Sequence, residues 1–280
     1  VALAAVGIYG VVAYAVAQRR DEVATRLALG ATPGSVFWLV TKQGGVLALL
    51  GIAAAVFAGV AHRWWTALPW LGVIVGSVLL DKRSAPELRQ PALRLARWPF
   101  DAVLYVLAAN QLLCVGLAAW TVSQHGFWRV DTLVMLLIVG VNSGYSGIVV
   151  AHELVHRREK HLQWLGRLLL SSVLYEHFAT EHVRGHHARV GTPEDPATAR
   201  FGETYQRFFV RTVPAQFKSA WRLECHRMGD AAMPLWDRRQ LHNRVLHGAV
   251  FAWSVAFAIA ATLGAGAFVY EIEQPSDLTF

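Results

Sequence analysis

Residues 129–157 read RVDTLVMLLIVGVNSGYSGIVVAHELVHR. An apolar run long enough to cross a bilayer ends directly in His152 and His156, four positions apart. A little further on, residues 176–203 read EHFATEHVRGHHARVGTPEDPATARFGE, so that seven of the twelve histidines fall between 152 and 187.

The surrounding chain is greasy: 55% of its 280 residues are hydrophobic, 16% are charged, and the mean hydropathy is +0.36. Apolar stretches at about 1–17, 37–60, 66–80, 99–122, 129–151 and 246–270 predict an all-α integral membrane helical bundle of about six transmembrane helices. If the segment after the first span is cytoplasmic and each span flips the side, the inside loops 18–36, 81–98 and 152–245 hold 3, 5 and 15 Lys or Arg. The positive-inside rule then places the histidine-rich helical region in the cytoplasm and explains the basic charge without nucleic acid. Trp64, Trp65 and Trp70 suit an interfacial belt on the other side. Two cysteines, Cys114 and Cys225, exclude a disulfide framework and a cysteine-based zinc site. No tripartite signal peptide is visible, and a start at Val1 reads as a fragment or a processed product.

On a continuous helix, His152 and His156 project from one face. In EHVRGHH, His182 and His186 repeat that spacing, and His187 adds an imidazole about 100° round the helix. Neutral nitrogen donors in this number favour Fe, Zn, Cu or Ni over Mg or Ca. Glu153, Glu181, Asp195 and His177 are placed to orient the ligand imidazoles from behind, while His62, His125, His226, His242 and His247 lie outside the spacing. HELVH is also literally the H-E-x-x-H pattern of zinc proteases, in which the glutamate activates water. Five donors exceed what a protease needs and point to more than one metal ion.

With these boxes quoted, the chain resembles the membrane-bound alkane 1-monooxygenases of the fatty acid desaturase and hydroxylase superfamily. HELVHR, the stretch YEHFATEHVRGHHARVGTPEDPATARFGE and its continuation YQRFFVRTVPAQFKSAWRLE look like that family's first two histidine boxes and the segment after them. The likeness runs from about Pro69 to Gly266. It implies O2-dependent terminal hydroxylation of an alkyl chain at two irons, with His152, His156, His182, His186 and His187 among the ligands. It also implies electrons from a rubredoxin-type donor, an alkane or alkyl-chain substrate, the lipid bilayer as surroundings, and a place in the bacterial inner membrane.

The family carries further boxes of the type NYxEHYG and HxxHH, whereas no histidine follows His247 here. The resemblance therefore implies an incomplete two-iron ligand set and a chain that hydroxylates no alkane by itself. Residues 1–60 resemble the C-terminal part of a macrolide-exporter-type ABC transporter permease, without any P-loop. The expected division is a permease-like segment at 1–60, a monooxygenase-like domain at 61–270 and an unmatched tail at 271–280. The alternatives are a permease fragment with passenger histidines and a membrane H-E-x-x-H zinc protease.

Overall fold

The computed structural model describes residues 52–60, 63–81 and 98–273. All regular structure among them is helical. The chain divides into two compact units, residues Val1–Val149 with Ile259–Phe280, and residues Val150–Ala258.

In the first unit, α1 (52–60) and a 3-10 turn at Trp64–Ala67 precede α2 (Leu68–Asp81), α3 (Trp98–His125) and α4 (Val130–Asn142). Gly126, at φ 74, ends α3 in the left-handed conformation that a Cβ would penalise, and its N–H donates to the Val122 carbonyl at 2.9 Å. Asp131 sits in the first turn of α4, where a carboxylate favours the helix dipole, and accepts the Trp64 N–H at 3.2 Å. Small residues bring α1 in: a Cβ on Gly59 would stand 2.7 Å from Met135 Sδ and 2.9 Å from Thr121 Oγ1. The apolar core gathers Ala55, Ala58, Cys114, Met135 and Ile138 around them. Between α3 and α4 runs a buried polar seam. Asn110 Nδ2 donates to Asn142 Oδ1 and to Ser146 Oγ, each at 3.1 Å, and Gln111 Nε2 donates to Ser143 Oγ at 2.9 Å. Beyond α4 the helix widens into a π-turn at Ser143–Val149.

Two helices among the described residues, Asp101–His125 and Val130–Val155, are long and apolar enough to cross a membrane, in place of the six read from the apolar runs. The bundle of about six spans is thereby overturned. The run at 66–80 folds as a 3-10 turn followed by the 14-residue α2, whose length of about 21 Å falls short of a ~30 Å hydrocarbon core. Of the run at 246–270, Arg244–Ala258 counts as a shorter apolar helix. The runs at 1–17 and 37–51, and most of the loop at 81–98, lie outside the described residues. Trp70 is not a belt residue: it is buried, while Trp64 and Trp65 are exposed.

The second unit holds α5 (Val150–Val155), α6 (Lys160–Ser171), α7 (His177–Glu181), a π-turn at His182–His186, α8 (His187–Arg189), α9 (Tyr205–Arg227) and, after a 3-10 turn at Arg238–His242, the first part of α10 (Arg244–Glu273). Helix α6 buries Leu162, Gly166, Leu169 and Leu170, the spacing of one helical face, and exposes Trp164. Gly166 lets α6 come close to the first histidine helix. A Cβ there would lie 3.1 Å from the Ala151 carbonyl oxygen, Leu154 Cβ and Val155 Cγ1. Gly166→Val is expected to overpack this contact and cost about 1–3 kcal/mol, read as a lowered midpoint in thermal unfolding. An unchanged midpoint would mean that α5 and α6 separate freely.

Candidate metal centre

His152 projects from α5 and His156 follows directly after it, their ring centroids 5.1 Å apart. The second box arrives on α7 and the π-turn, and its geometry differs from a regular helix. The His187 N–H donates to the His182 carbonyl, the i to i+5 closure of a π-turn, so residue i+5 comes back over residue i. It is therefore His187, and not His186, whose Nε2 stands 3.1 Å from His182 Nε2. His182 Nε2 also lies 3.1 Å from His156 Nε2, and its ring is 4.4 Å from that of His152. Among the described residues, His152, His156 and His182 form a group whose ligand nitrogens all lie within 4.8 Å of one another. His187 packs on its flank, 4.8 Å from the ring of His156.

Nitrogens at such separations repel one another when protonated. Burial, reinforced by the neighbouring imidazoles of His152, His187, His156 and His186, pushes the pKa of His182 down to about 3. Burial and His187 also lower His156, against the opposing pull of Glu153. Near neutral pH both rings are neutral and offer lone pairs, the protonation state a metal ion requires. Convergent, neutral, nitrogen-only donors fit a borderline first-row ion such as iron or zinc.

His186 is held differently. Its Nδ1 donates to Asp195 Oδ2 at 2.8 Å, which leaves Nε2 as the free donor atom. Burial alone would raise the Asp195 carboxyl. The Thr198 hydroxyl, the Ala197 N–H and His186 outweigh it and hold the group below the usual carboxylate range. The loop carrying Asp195 is fastened to α9: Arg211 grips Glu203 through two 2.7 Å bonds and reaches the carbonyls of Pro196 and Thr198 at 3.0 and 3.1 Å.

The remaining sequence-derived residues have other partners. Glu153, half exposed, pairs with Arg157 at 3.0 Å. Glu181 is fully buried, and its Oε1 accepts from Arg189 Nη2 at 3.1 Å and from Ser219 Oγ at 3.3 Å. His177 packs edge-on against Tyr175 and Phe217, its Nε2 buried without a hydrogen bond and its pKa pushed by burial to about 4. Sequence reasoning did not find Glu224, which is fully buried on α9 and accepts from Arg184 Nη1 at 2.5 Å, Arg227 Nε at 3.0 Å and the Arg244 N–H at 3.2 Å. A lone glutamate in WRLEC carries no signal for partners 40 residues away.

A helical unit with two histidine boxes converging on one point is the class of site found here, and the fatty acid desaturase pattern matches residues 126–272. The chain belongs to the fatty acid desaturase family. It is similar to alkane 1-monooxygenase 1 of Alcanivorax borkumensis, at 30% identity over 80% of this chain and 55% of that protein. The alkane 1-monooxygenase of Pseudomonas putida is 29% identical over the same shares. Alkane 1-monooxygenase 1 of Pseudomonas aeruginosa is 39% identical over 48% of this chain and 36% of that protein. The chain spans about half the length of the first of these relatives. Residues 1–126 match the FtsX-like permease C-terminal pattern.

Proposed function

We propose that this chain contributes the first two histidine boxes of an alkane 1-monooxygenase-type centre, with His152, His156, His182, His186 and His187 as iron ligands. The observation that carries this reading is the convergence of ligand nitrogens from two separate boxes within 4.8 Å. Iron held there would supply the activation of O2 for terminal hydroxylation of an alkyl chain, with electrons from a rubredoxin-type donor. The protein's own part is to keep His156 and His182 neutral, to fix the His186 tautomer through Asp195, and to bring the two boxes together.

The two patterns, at residues 1–126 and 126–272, support a permease-like part followed by a monooxygenase-like part, and they meet beyond the division at 60 read from the sequence. Charge supports an inner-membrane location with the boxes on the cytoplasmic side. Residues 81–98 and 152–245 carry 5 and 15 Lys or Arg, while Arg129 alone lies between Asp101–His125 and Val130–Val155. Against the zinc-protease alternative stands Glu153, the residue that would activate water, which is turned to Arg157.

Metal analysis of the chain purified from iron-supplied membranes tests the reading. Five box imidazoles can hold one first-row ion, or two incompletely, so iron below two per chain is expected. For the same reason no 1-octanol is expected from octane with a rubredoxin supply. One zinc per chain with peptide hydrolysis, or no metal at all, would overturn the proposal. Production of 1-octanol by the 280-residue chain would show that further residues complete the centre.

A further inference from the structure

The second box departs from a regular α-helix at the place where its histidines must point to one spot, and two clamps from α9 meet it there. In the first, Arg189 Nη2 donates to Ser219 Oγ at 2.7 Å and to Glu181 Oε1 at 3.1 Å, while Arg189 Nε donates to the Gly185 carbonyl at 3.2 Å. In the second, Arg184, inside the π-turn, donates to the buried Glu224 at 2.5 Å. Ser219 and Glu224 thus hold the turn from one helix. Gly185 leaves the room they need: a Cβ at that position would stand 2.6 Å from both Arg189 Nη2 and Glu181 Oε1.

We infer that Glu181, Arg184, Gly185, Arg189, Ser219 and Glu224 are positioning residues that hold the π register of the second box, and that this register selects His187 as the partner of His182. In an α-helical register residue i+4, here His186, would take that place, and His187 would swing away. Glu181 thereby acts on the backbone register, through Arg189 and Ser219, and not on the free nitrogen of an imidazole.

The inference rests on the metal-centre reading, and its test separates the two. Co(II) is titrated into the purified full chain in detergent, read by its d–d absorption, in wild type, His187→Ala, Gly185→Ala and the double variant. His187→Ala is expected to weaken Co(II) binding more than about tenfold in wild type. In the Gly185→Ala background, where the displaced clamp frees the turn, His187→Ala should weaken it less than about twofold, the non-additivity of coupled positions. Ser219→Ala should change the Co(II) spectrum as Gly185→Ala does, and Ser219→Thr, which keeps the hydroxyl, should restore the wild-type spectrum. Should Gly185→Ala not yield folded chain, Ser219→Ala serves as the background for the same cycle. Equal losses from His187→Ala in both backgrounds would overturn the positioning role alone. A wild-type chain that binds no Co(II) would overturn the metal centre and this inference with it.

Discussion

His182→Ala is expected to abolish metal binding, with a loss well beyond a hundredfold in affinity for iron or Co(II). His182 is the one box histidine that is buried, and its Nε2 lies 3.1 Å from the Nε2 atoms of both His156 and His187. Any ion shared between the boxes must bind next to it. Asp195→Ala should do less, about 10–100-fold, because it removes the group that orients His186 and leaves the imidazole in place. The pH dependence follows from the sign of the shift. His182 is lowered to about 3, so protons should not compete for this ligand at pH 6, and release through it requires stronger acid. Equilibrium titration with circular dichroism as a folding control checks the ranking. His161→Ala, at an exposed residue outside the cluster, should change nothing. Equal losses at His161 and His182 would point to general misfolding and not to a ligand role.

What could be read from the residues depended on whether local spacing decided the geometry. HELVH lies on and just beyond a regular helix, so the side-by-side placement of His152 and His156 was legible from their separation. EHVRGHH was not, because a π-turn shifts the closure by one residue, and the only hint in the letters is Gly185 between the histidines. The carboxylates misled for a related reason. Glu153 and Glu181 sit beside ligand candidates in sequence, yet each is taken by an arginine, Arg157 one turn on and Arg189 eight residues on. The pairing of Asp195 with His186 lay closer to what the letters show, because the turn after Asp195 is local: Ala197 and Thr198 fix its carboxylate within three residues. Apolar composition likewise overcounted spans, since hydropathy says nothing about where a helix stops. The run at 66–80 is apolar enough, but it spends its first residues in a 3-10 turn and is left with too few for a crossing.

Glu224→Ala is expected to destabilise the second unit by about 3 kcal/mol, the low end of the range for breaking a buried ion pair. Glu224 is fully buried and takes two guanidiniums and one backbone N–H. Its removal leaves Arg184 and Arg227 without their counter-charge and the Arg244 N–H without an acceptor at the start of α10. The side chains of Arg184 and Arg227 stay 37% and 32% exposed and can rehydrate, which keeps the cost from rising further. Glu224→Gln should fall between wild type and Ala, since it keeps the volume and one carbonyl acceptor but no charge. The effect should also depend on pH. Burial raises the Glu224 pKa, yet bonds from Arg227 and the Arg244 N–H and the charges of Arg227 and Arg184 outweigh that and leave it below its ordinary value. A carboxyl lowered by folding contributes stability above its unfolded pKa of about 4.5 and loses it as pH falls through the folded value. The gap between wild type and Glu224→Gln in thermal unfolding should therefore be full at pH 7 and shrink only below about pH 4.5, as the pH falls through the lowered folded value. A gap that persists in acid would mean that Glu224 works through its shape and not its charge. Because Arg184 lies inside the π-turn, the same variant should weaken metal binding at pH 7 even under conditions where the chain stays folded.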